Sequence, residues 1–436
     1  MIRFLTLTIV TLLAFSASAQ GRKPPLHHAF LRSVTPGEFP VERWRGASAD
    51  QVDSSIKLAT KAIQLVGQFS SEDLEKINNA FDMRHGLLRW KSPSSEVEEV
   101  VENHRELLNA LNTILSPSLG KETQSLALKN PSSEQMNAFW KLVCLAASSN
   151  AGQDRFDRAS NLLAGAFAAS RWWQRADSDE TVLRAIVLEE RLQRGLIDLQ
   201  AIGAPLLGNA ITKLYDSMAT TKQTERRIWA CLCNDLPVFK DKPRDKTAWQ
   251  NDLKRTMEYY SIPRATVAKF VATVDSERVG LQLRQALAVR FKKIEAEGLI
   301  KLNETQIKDV SEKESHPLEK RIVEIISANF DLTVVELIQI TRKLSMDARQ
   351  RLMALQCIEA IRTESQTRKS WVDKLDADLR KRIPIDPRSG MPFDVNVGVF
   401  EGIGYPYYTI RLSASEKSES VTIDLATEGK YGDDLR

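Results

Sequence analysis

Long stretches of this chain place apolar residues three or four positions apart, with few glycines or prolines between them. Val52, Ile56, Ala59, Ile63 and Val66 form one such series. This spacing puts the apolar side chains on one face of a helix. The 436 residues include only 19 Gly and 16 Pro, fewer than an average globular protein has. The pattern favours long helices and disfavours a barrel, sandwich or propeller of many short strands.

The helical periodicity predicts a mainly α protein with an irregular multi-helix body over residues 50–384. Its clearest part is an αα-hairpin of 154–173 and 181–202, because a polar break separates two amphipathic runs. Small residues along the first helix would allow close approach to a neighbour; they are Ala159, Ala164, Gly165, Ala166, Ala168 and Ala169.

Other helices follow from the same spacing. Residues 97–115 are predicted to form one helix, and 322–344 and 347–364 two more. The segment 234–252 contains two prolines and a run of mixed charge, which predicts an internal hinge.

The composition changes after Pro384. Three short runs rich in β-branched and aromatic residues lie there between clusters of Pro, Gly and Ser. We predict a small antiparallel β module over residues 385–436. Three short strands bury little surface by themselves, so this module is expected to pack on the helical body.

The first 19 residues have the features of a secretory signal peptide. Arg3 supplies a positive charge, residues 4–15 are apolar or Thr, and Ala17-Ser18-Ala19 is a small-residue cleavage pattern. The apolar run is too short to span a bilayer, which needs about 20 residues. An uncleaved N-terminal anchor is the alternative interpretation.

Export implies a mature chain outside the cytoplasm, periplasmic or extracellular. Residues 20–49 contain four prolines and are predicted to be an extended arm. The most apolar later stretch, 322–340, is interrupted by Glu324, Asn329, Asp331 and Glu336, and each of these would cost about 2–3 kcal/mol or more near the middle of a membrane. We therefore expect no transmembrane segment in the mature chain.

The charges nearly balance, with 61 Lys and Arg against 57 Asp and Glu. A dedicated nucleic-acid binder would concentrate basic charge, so no nucleic-acid partner is expected. The four cysteines, Cys144, Cys231, Cys233 and Cys357, are too few for a disulfide scaffold. Their pairing is left open by the sequence.

A C-terminal pattern consists of DPRSGMPF at 386–393, YYTI at 407–410 and GDD at 432–434. It resembles a tail shared by certain exported bacterial proteins and by the major pseudopilins of type II secretion. The hairpin region from 156 onward is similar to that of large, functionally uncharacterised exported families with this tail. Arg388 replaces the usual Phe, and Pro24 and Pro25 interrupt the long N-terminal helix of pseudopilins. The resemblance implies a shared C-terminal module and no pilus subunit.

The resemblance also implies candidate metal ligands. The C-terminal loop of pseudopilins binds calcium, and the matching positions are Asp386, Asp433 and Asp434. Calcium takes six to eight oxygen ligands. In the alternative interpretation, Asp386 forms a turn before Pro387, and Asp433-Asp434 is a frayed acidic end. No cofactor other than calcium is predicted.

No catalytic signature stands out, because HExxH, GxSxG and GxxxxGK[ST] are all absent. Glu190 is a candidate general base, and a surface i,i+4 pair with Arg194 is the alternative. Trp172 and Trp173 are candidates to line a groove for sugar or peptide, since adjacent helical residues cannot both face one core. Core packing is the alternative for this pair.

These observations favour a non-enzymatic exported protein that binds or assembles with an envelope or extracellular protein or polymer. One alternative is a helical hydrolase that acts on cell-envelope polymers through two carboxylates about 5–10 Å apart. Another is a secretion-associated protein with a calcium-binding tail.

Overall fold

The computed structural model describes residues 44–83, 94–115, 131–176, 178–201, 208–219, 223–231, 245–283, 317–368, 376–399, 406–411 and 422–426, with short gaps inside these ranges. The predicted signal peptide (1–19), most of the predicted arm (20–49) and much of the predicted hinge (234–252) lie outside the described residues. The domain boundaries predicted from the sequence stay predictions.

Helices make up most of the described chain, so the prediction of a mainly helical protein is confirmed. In chain order they are α1 (Ala49–Val66), α2 (Ser71–Met83), α3 (Ser95–Asn103), α4 (Arg105–Thr113), α5 (Ser133–Ala151), α6 (Phe156–Trp173), α7 (Asp179–Ala201), α8 (Gly208–Asp216), α9 (Lys246–Tyr259), α10 (Arg264–Thr273), α11 (Pro317–Arg368) and α12 (Ala377–Lys381). Among the described residues, no helix combines the length and apolar character needed to cross a membrane.

By internal packing the chain divides into two units. The described part of the larger unit falls within 44–175, 183–218 and 344–426. Most residues of α5 and α6 are buried in its core. A side-chain carbon at Gly165 of α6 would lie 2.0 Å from the backbone oxygen of Leu111 in α4, so the absence of a side chain permits this close approach.

Helices α6 and α7 pack against each other in opposite directions. Arg171 near the end of α6 contacts Glu189. A side-chain carbon at Gly195, further along α7, would lie 2.5 Å from the Leu163 side chain, nearer the start of α6. Later residues of one helix therefore meet earlier residues of the other, which is the antiparallel arrangement of an αα-hairpin.

The smaller unit comprises Ala176–Val182 and the described residues of Ala219–Lys343. It contains α9, α10, helical residues 276–283 and the part of α11 up to residue 343. A side-chain carbon at Gly280 would lie 2.2 Å from the Trp249 ring, so this helical segment packs closely on α9. Arg278 forms a 2.6 Å ion pair with Glu319, whose side chain is buried.

Two helix boundaries differ from the prediction. The single helix predicted over 97–115 is wrong, because it breaks into α3 and α4 at His104, where φ is −107° and ψ is 20°. The two helices predicted at 322–344 and 347–364 are also wrong, since α11 is one helix of 52 residues. The residues that join them contain no Gly or Pro, so nothing in the backbone ends the helix there.

Strands occur after α12. They are β1 (Asp394–Val399), β2 (Pro406–Arg411) and β3 (Thr422–Ala426). Their backbones align antiparallel in the order β1-β2-β3, with Val397 opposite Tyr408 and Thr409 opposite Asp424. That these strands form a packed module of their own stays a prediction.

Candidate functional site

A buried ion pair lies in the larger unit, where α6, α7 and α8 meet. Nη2 of Arg171 donates to Oε1 of Glu189 at 2.9 Å, and Nε of Arg171 donates to the same oxygen at 3.3 Å. The side chains of Arg171 and Glu189 are only 6% and 1% exposed. Because buried charges require partners, this pair is the most constrained polar feature of the core.

Further partners surround the guanidinium of Arg171. Nη2 also donates to the backbone oxygen of Leu214 at 2.9 Å, and Nη1 donates to Oγ of Ser217. The guanidinium lies over the ring of Trp44, 5.4 Å from its centroid, in a cation–π arrangement. Arg171 therefore joins α6 to α7, to the end of α8 and to a residue that precedes α1.

The second oxygen of Glu189 is also occupied. Nε2 of Gln174, just after α6, donates to Oε2 of Glu189 at 2.7 Å. Both carboxylate oxygens thus accept hydrogen bonds from side chains of the same chain. The carboxylate of Glu189 is therefore engaged at both oxygens within the core, which favours a structural role. We define Arg171, Gln174, Glu189 and Ser217 as the buried polar cluster.

The polar face of α7 continues beyond Glu189. Gln193 lies one turn later and is fully buried. Its Nε2 donates to the backbone oxygen of Ala348 in α11 at 2.9 Å. Glu189 and Gln193 therefore stand on one buried face of α7 and fix that helix to two neighbours through hydrogen bonds that apolar residues could not make.

Glu190, the candidate general base, is 21% exposed and pairs with Arg351 of α11 at 2.5 Å. The next residue, Arg191, donates from Nη1 to Oδ1 of Asn137 and lies 5.6 Å from the centroid of the Trp140 ring. Burial lowers the pKa of the Arg191 guanidinium, and the nearby charge of Glu190 raises it by a smaller amount. This part of α7 thus forms ionic and aromatic contacts with α5 and α11.

Trp172 and Trp173, the candidates to line a groove, are both buried in the core. Trp172 is 2% exposed and Trp173 is 4% exposed. The ring of Trp173 meets that of Phe139 in α5 edge-on, with centroids 5.5 Å apart. A ligand would reach these rings only if the surrounding helices separated.

Asp386, a candidate calcium ligand, is buried at the base of a tight turn. Its backbone N–H donates to the oxygen of Met391 at 2.8 Å, and its backbone oxygen accepts from Gly390 at 2.9 Å. Gly390 has a φ of +69°, which favours glycine. Oδ1 of Asp386 accepts from Nε2 of Gln350 in α11 at 3.0 Å. The other two candidate ligands, Asp433 and Asp434, lie outside the described residues.

Sequence reasoning missed the buried polar cluster, although a signal for it exists. Glu189 lies at three- and four-residue spacing from Ala185, Ile186 and Leu192, all of which are buried. Arg171 follows a run of small and apolar residues in α6. An acidic residue on the apolar face of one helix and a basic residue on the apolar face of its neighbour indicate a buried ion pair.

Three of the four cysteines lie in the described residues, and all three are buried thiols: Cys144, Cys231 and Cys357. Burial raises the pKa of the Cys357 thiol, so it stays protonated and unreactive. Within the described part of the chain, no group of three or more His, Cys, Asp or Glu side chains is placed to hold a metal ion.

Comparison with known proteins adds no relative: no family, no curated protein and no solved structure matches this chain significantly.

Proposed function

We propose that this chain is an exported binding or assembly protein without catalytic activity. The observation that carries the proposal is the hydrogen bonding of Glu189: its two carboxylate oxygens accept from Arg171 and Gln174. The buried carboxylate of Glu189 thus contributes to rigidity. A rigid helical scaffold suits a protein whose task is to present a surface.

The alternative, a helical hydrolase, needs one carboxyl group to donate a proton and a second to act as base or nucleophile. Besides Asp179 and Glu180 in its first turn, α7 carries a second pair of adjacent carboxylates, Glu189 and Glu190. Each is already paired with an arginine, Arg171 and Arg351. These arginine contacts engage both carboxylates within the fold, which favours a structural role over a catalytic one.

Export and the C-terminal module complete the proposal. The first 19 residues support secretion, and the DPRSGMPF segment supports membership of exported families with a common tail. The turn at Asp386 is attached to α11 through Gln350, which supports a small antiparallel β module packed on the helical body. The partner is an envelope or extracellular protein or polymer, and the balanced charge argues against nucleic acid.

Export is tested by expressing the full chain in a bacterium and recovering it from the periplasm or medium. Mass spectrometry is expected to show a chain that starts at Gln20. Leu12→Lys places a charge within the apolar run and should keep the uncleaved chain in the cytoplasm. Recovery of an uncleaved cytoplasmic wild-type chain would contradict the proposal.

Function is tested by co-sedimentation of the mature chain with purified cell-wall polymer, followed by analysis of the soluble fraction for released fragments. Binding without fragments supports the proposal. Fragment release that disappears in Glu190→Gln, while this variant keeps the wild-type circular dichroism spectrum, would establish the hydrolase instead. Lys57→Gln, a change on the exposed side of α1, is the control.

A calcium-binding tail is tested by thermal unfolding with calcium or with a chelator. A ligand that binds only the folded state raises the midpoint. A calcium-dependent rise that is lost in the double variant Asp433→Asn/Asp434→Asn would support the metal. An unchanged midpoint would leave Asp386 as the anchor of a turn.

A further inference from the structure

His104 lies at the break between α3 and α4 and contacts the start of α2. Its ring centroid is 5.0 Å from that of Phe69, which precedes α2, and the two rings are tilted by 54°. Nε2 of His104 is 3.8 Å from Oδ1 of Asp73 in the first turn of α2. The side chain at the break between α3 and α4 therefore contacts both the residue that precedes α2 and the first turn of α2.

The imidazole is largely enclosed, with 12% of the side chain exposed. An uncharged ring suits this environment, because it packs on Phe69 without a charge to solvate. Protonation would put a positive charge beside the tilted Phe69 ring and at the junction of two helices. The compensation that the described residues offer at this contact is Asp73, at a distance too long for a hydrogen bond.

Asp73 is already committed to another structure. Its Oδ2 accepts from the backbone N–H of Ser70 at 2.9 Å and from the Ser70 hydroxyl at 2.7 Å. In return, the N–H of Asp73 donates to Oγ of Ser70 at 3.1 Å, which completes the N-terminal cap of α2. A shift of Asp73 toward a charged His104 would disturb this cap.

The charged groups of the surrounding elements are mostly paired with one another. On α1, α2, α3 and α4 these pairs are Lys61 with Glu106, Lys76 with Glu72 and Glu99, and Arg105 with Glu102. On α5, Lys141 donates to Asn78 of α2. Among the described residues, neighbouring side chains therefore supply one long contact to Asp73 and no strong new partner for an imidazolium.

We propose that His104 is an acid-sensitive hinge: the neutral ring keeps α3 and α4 docked on the start of α2, and protonation releases them. Unperturbed histidine changes charge near pH 6.5, so the transition belongs to mildly acidic solution. Burial lowers the pKa of His104 more than Asp73 raises it, which agrees with a fold that prefers the neutral ring. The opening is confined to the larger unit.

The test is hydrogen exchange of the mature chain at about pH 7 and about pH 5.5, with rates divided by intrinsic rates. Amides of α3 and α4 are expected to lose protection several-fold in acid, whereas those of α5 keep theirs. His104→Gln, which cannot titrate, should remove the difference between the two pH values. Equal loss of protection in α3, α4 and α5 would overturn the proposal.

A second measurement uses the wild-type chain, so it tests the proposal even if His104→Gln fails to fold. The carbon-bound proton of the His104 ring is followed by NMR between about pH 8 and about pH 5 in the wild-type chain. A midpoint below that of an unfolded peptide supports the hinge. A midpoint above it means that Asp73 stabilises the charged ring, which would refute the hinge.

Discussion

Arg171 and Glu189 form an ion pair in the core of the larger unit, 2.9 Å apart and almost inaccessible to water. Gln174 occupies the remaining carboxylate oxygen, and the backbone oxygen of Leu214 accepts from the guanidinium. Two charges are thus buried with nearly complete hydrogen bonding. This arrangement sets the relative positions of α6, α7 and α8 more specifically than apolar packing would.

Removal of one charge from this pair should destabilise the chain strongly. Glu189→Gln leaves Arg171 buried without a counter-charge, and we expect a loss of about 3–5 kcal/mol in the free energy of unfolding. Urea denaturation followed by circular dichroism measures it. The double variant Arg171→Met/Glu189→Leu should lose less than the single variant, because both charges are removed together.

The matched control is an exposed pair. Lys381 and Asp378 are 3.3 Å apart, with side chains 77% and 91% exposed. Asp378→Asn should therefore change stability by less than about 1 kcal/mol. Equal losses from Glu189→Gln and Asp378→Asn would show that the buried polar cluster has no special role.

Gly165 should tolerate no side chain. The methyl group of Gly165→Ala would meet the backbone oxygen of Leu111, which cannot rotate away, so α4 and α6 must separate. We expect a loss of about 1–3 kcal/mol or more, measured by thermal or urea unfolding.

Gly→Ala variants at two other positions provide controls for this loss of stability. Gly195→Ala meets the flexible side chain of Leu163 and should cost less than Gly165→Ala. A side-chain carbon at Gly46 would have no atom within 4 Å, so Gly46→Ala should be neutral or slightly stabilising. A Gly165→Ala variant as stable as Gly46→Ala would contradict the close approach of α4 and α6.

The turn at Asp386 should depend on Gln350. Gln350→Ala removes the 3.0 Å hydrogen bond to a buried carboxylate, and we expect a loss of about 1.5–3 kcal/mol, the range for hydrogen bonds to charged groups. Gly390→Ala, at a φ of +69°, should cost about 1–2 kcal/mol through backbone strain alone. Equilibrium unfolding in urea measures both losses, and no loss in either variant would show that the turn is not anchored.

Asp73 should contribute stability that disappears in acid. Burial raises the pKa of this carboxyl, but hydrogen bonds from Ser70, together with the charge of Lys76, lower it below its ordinary value of 3.8. Between the lower folded pKa and the higher unfolded pKa, the unfolded chain binds more protons. The contribution is therefore full above the unfolded pKa and is lost as the pH falls through the folded pKa.

Urea unfolding at several pH values below about 5 tests this expectation. The free energy of unfolding should fall less steeply in Asp73→Asn than in wild type, since Asn keeps an oxygen for the cap but does not titrate. Asp53→Asn, on the exposed side of α1, should follow the wild-type curve. Parallel curves for wild type and Asp73→Asn would refute the assignment.

Much of the helical architecture follows from sequence periodicity. The apolar spacing from Val52 to Val66 predicts α1, and the small residues around Gly165 predict a close helix contact. Helical periodicity is a local property, so neighbouring residues suffice to specify it. The candidate site was harder to predict: Glu189 and Glu190 are adjacent acidic residues, and the sequence analysis selected Glu190 although the apolar spacing around Glu189 indicates that Glu189 faces the core.

What the sequence alone determined is the class of the chain: helical, with amphipathic elements and little room for many strands. Tertiary structure decided which partner each carboxylate meets, since adjacent residues on α7 differ by about 100° in direction. Glu189 therefore turns inward to Arg171, and Glu190 turns to Arg351. Packing around His104 likewise decided where α3 ends and α4 begins, because helix boundaries depend on contacts between distant segments.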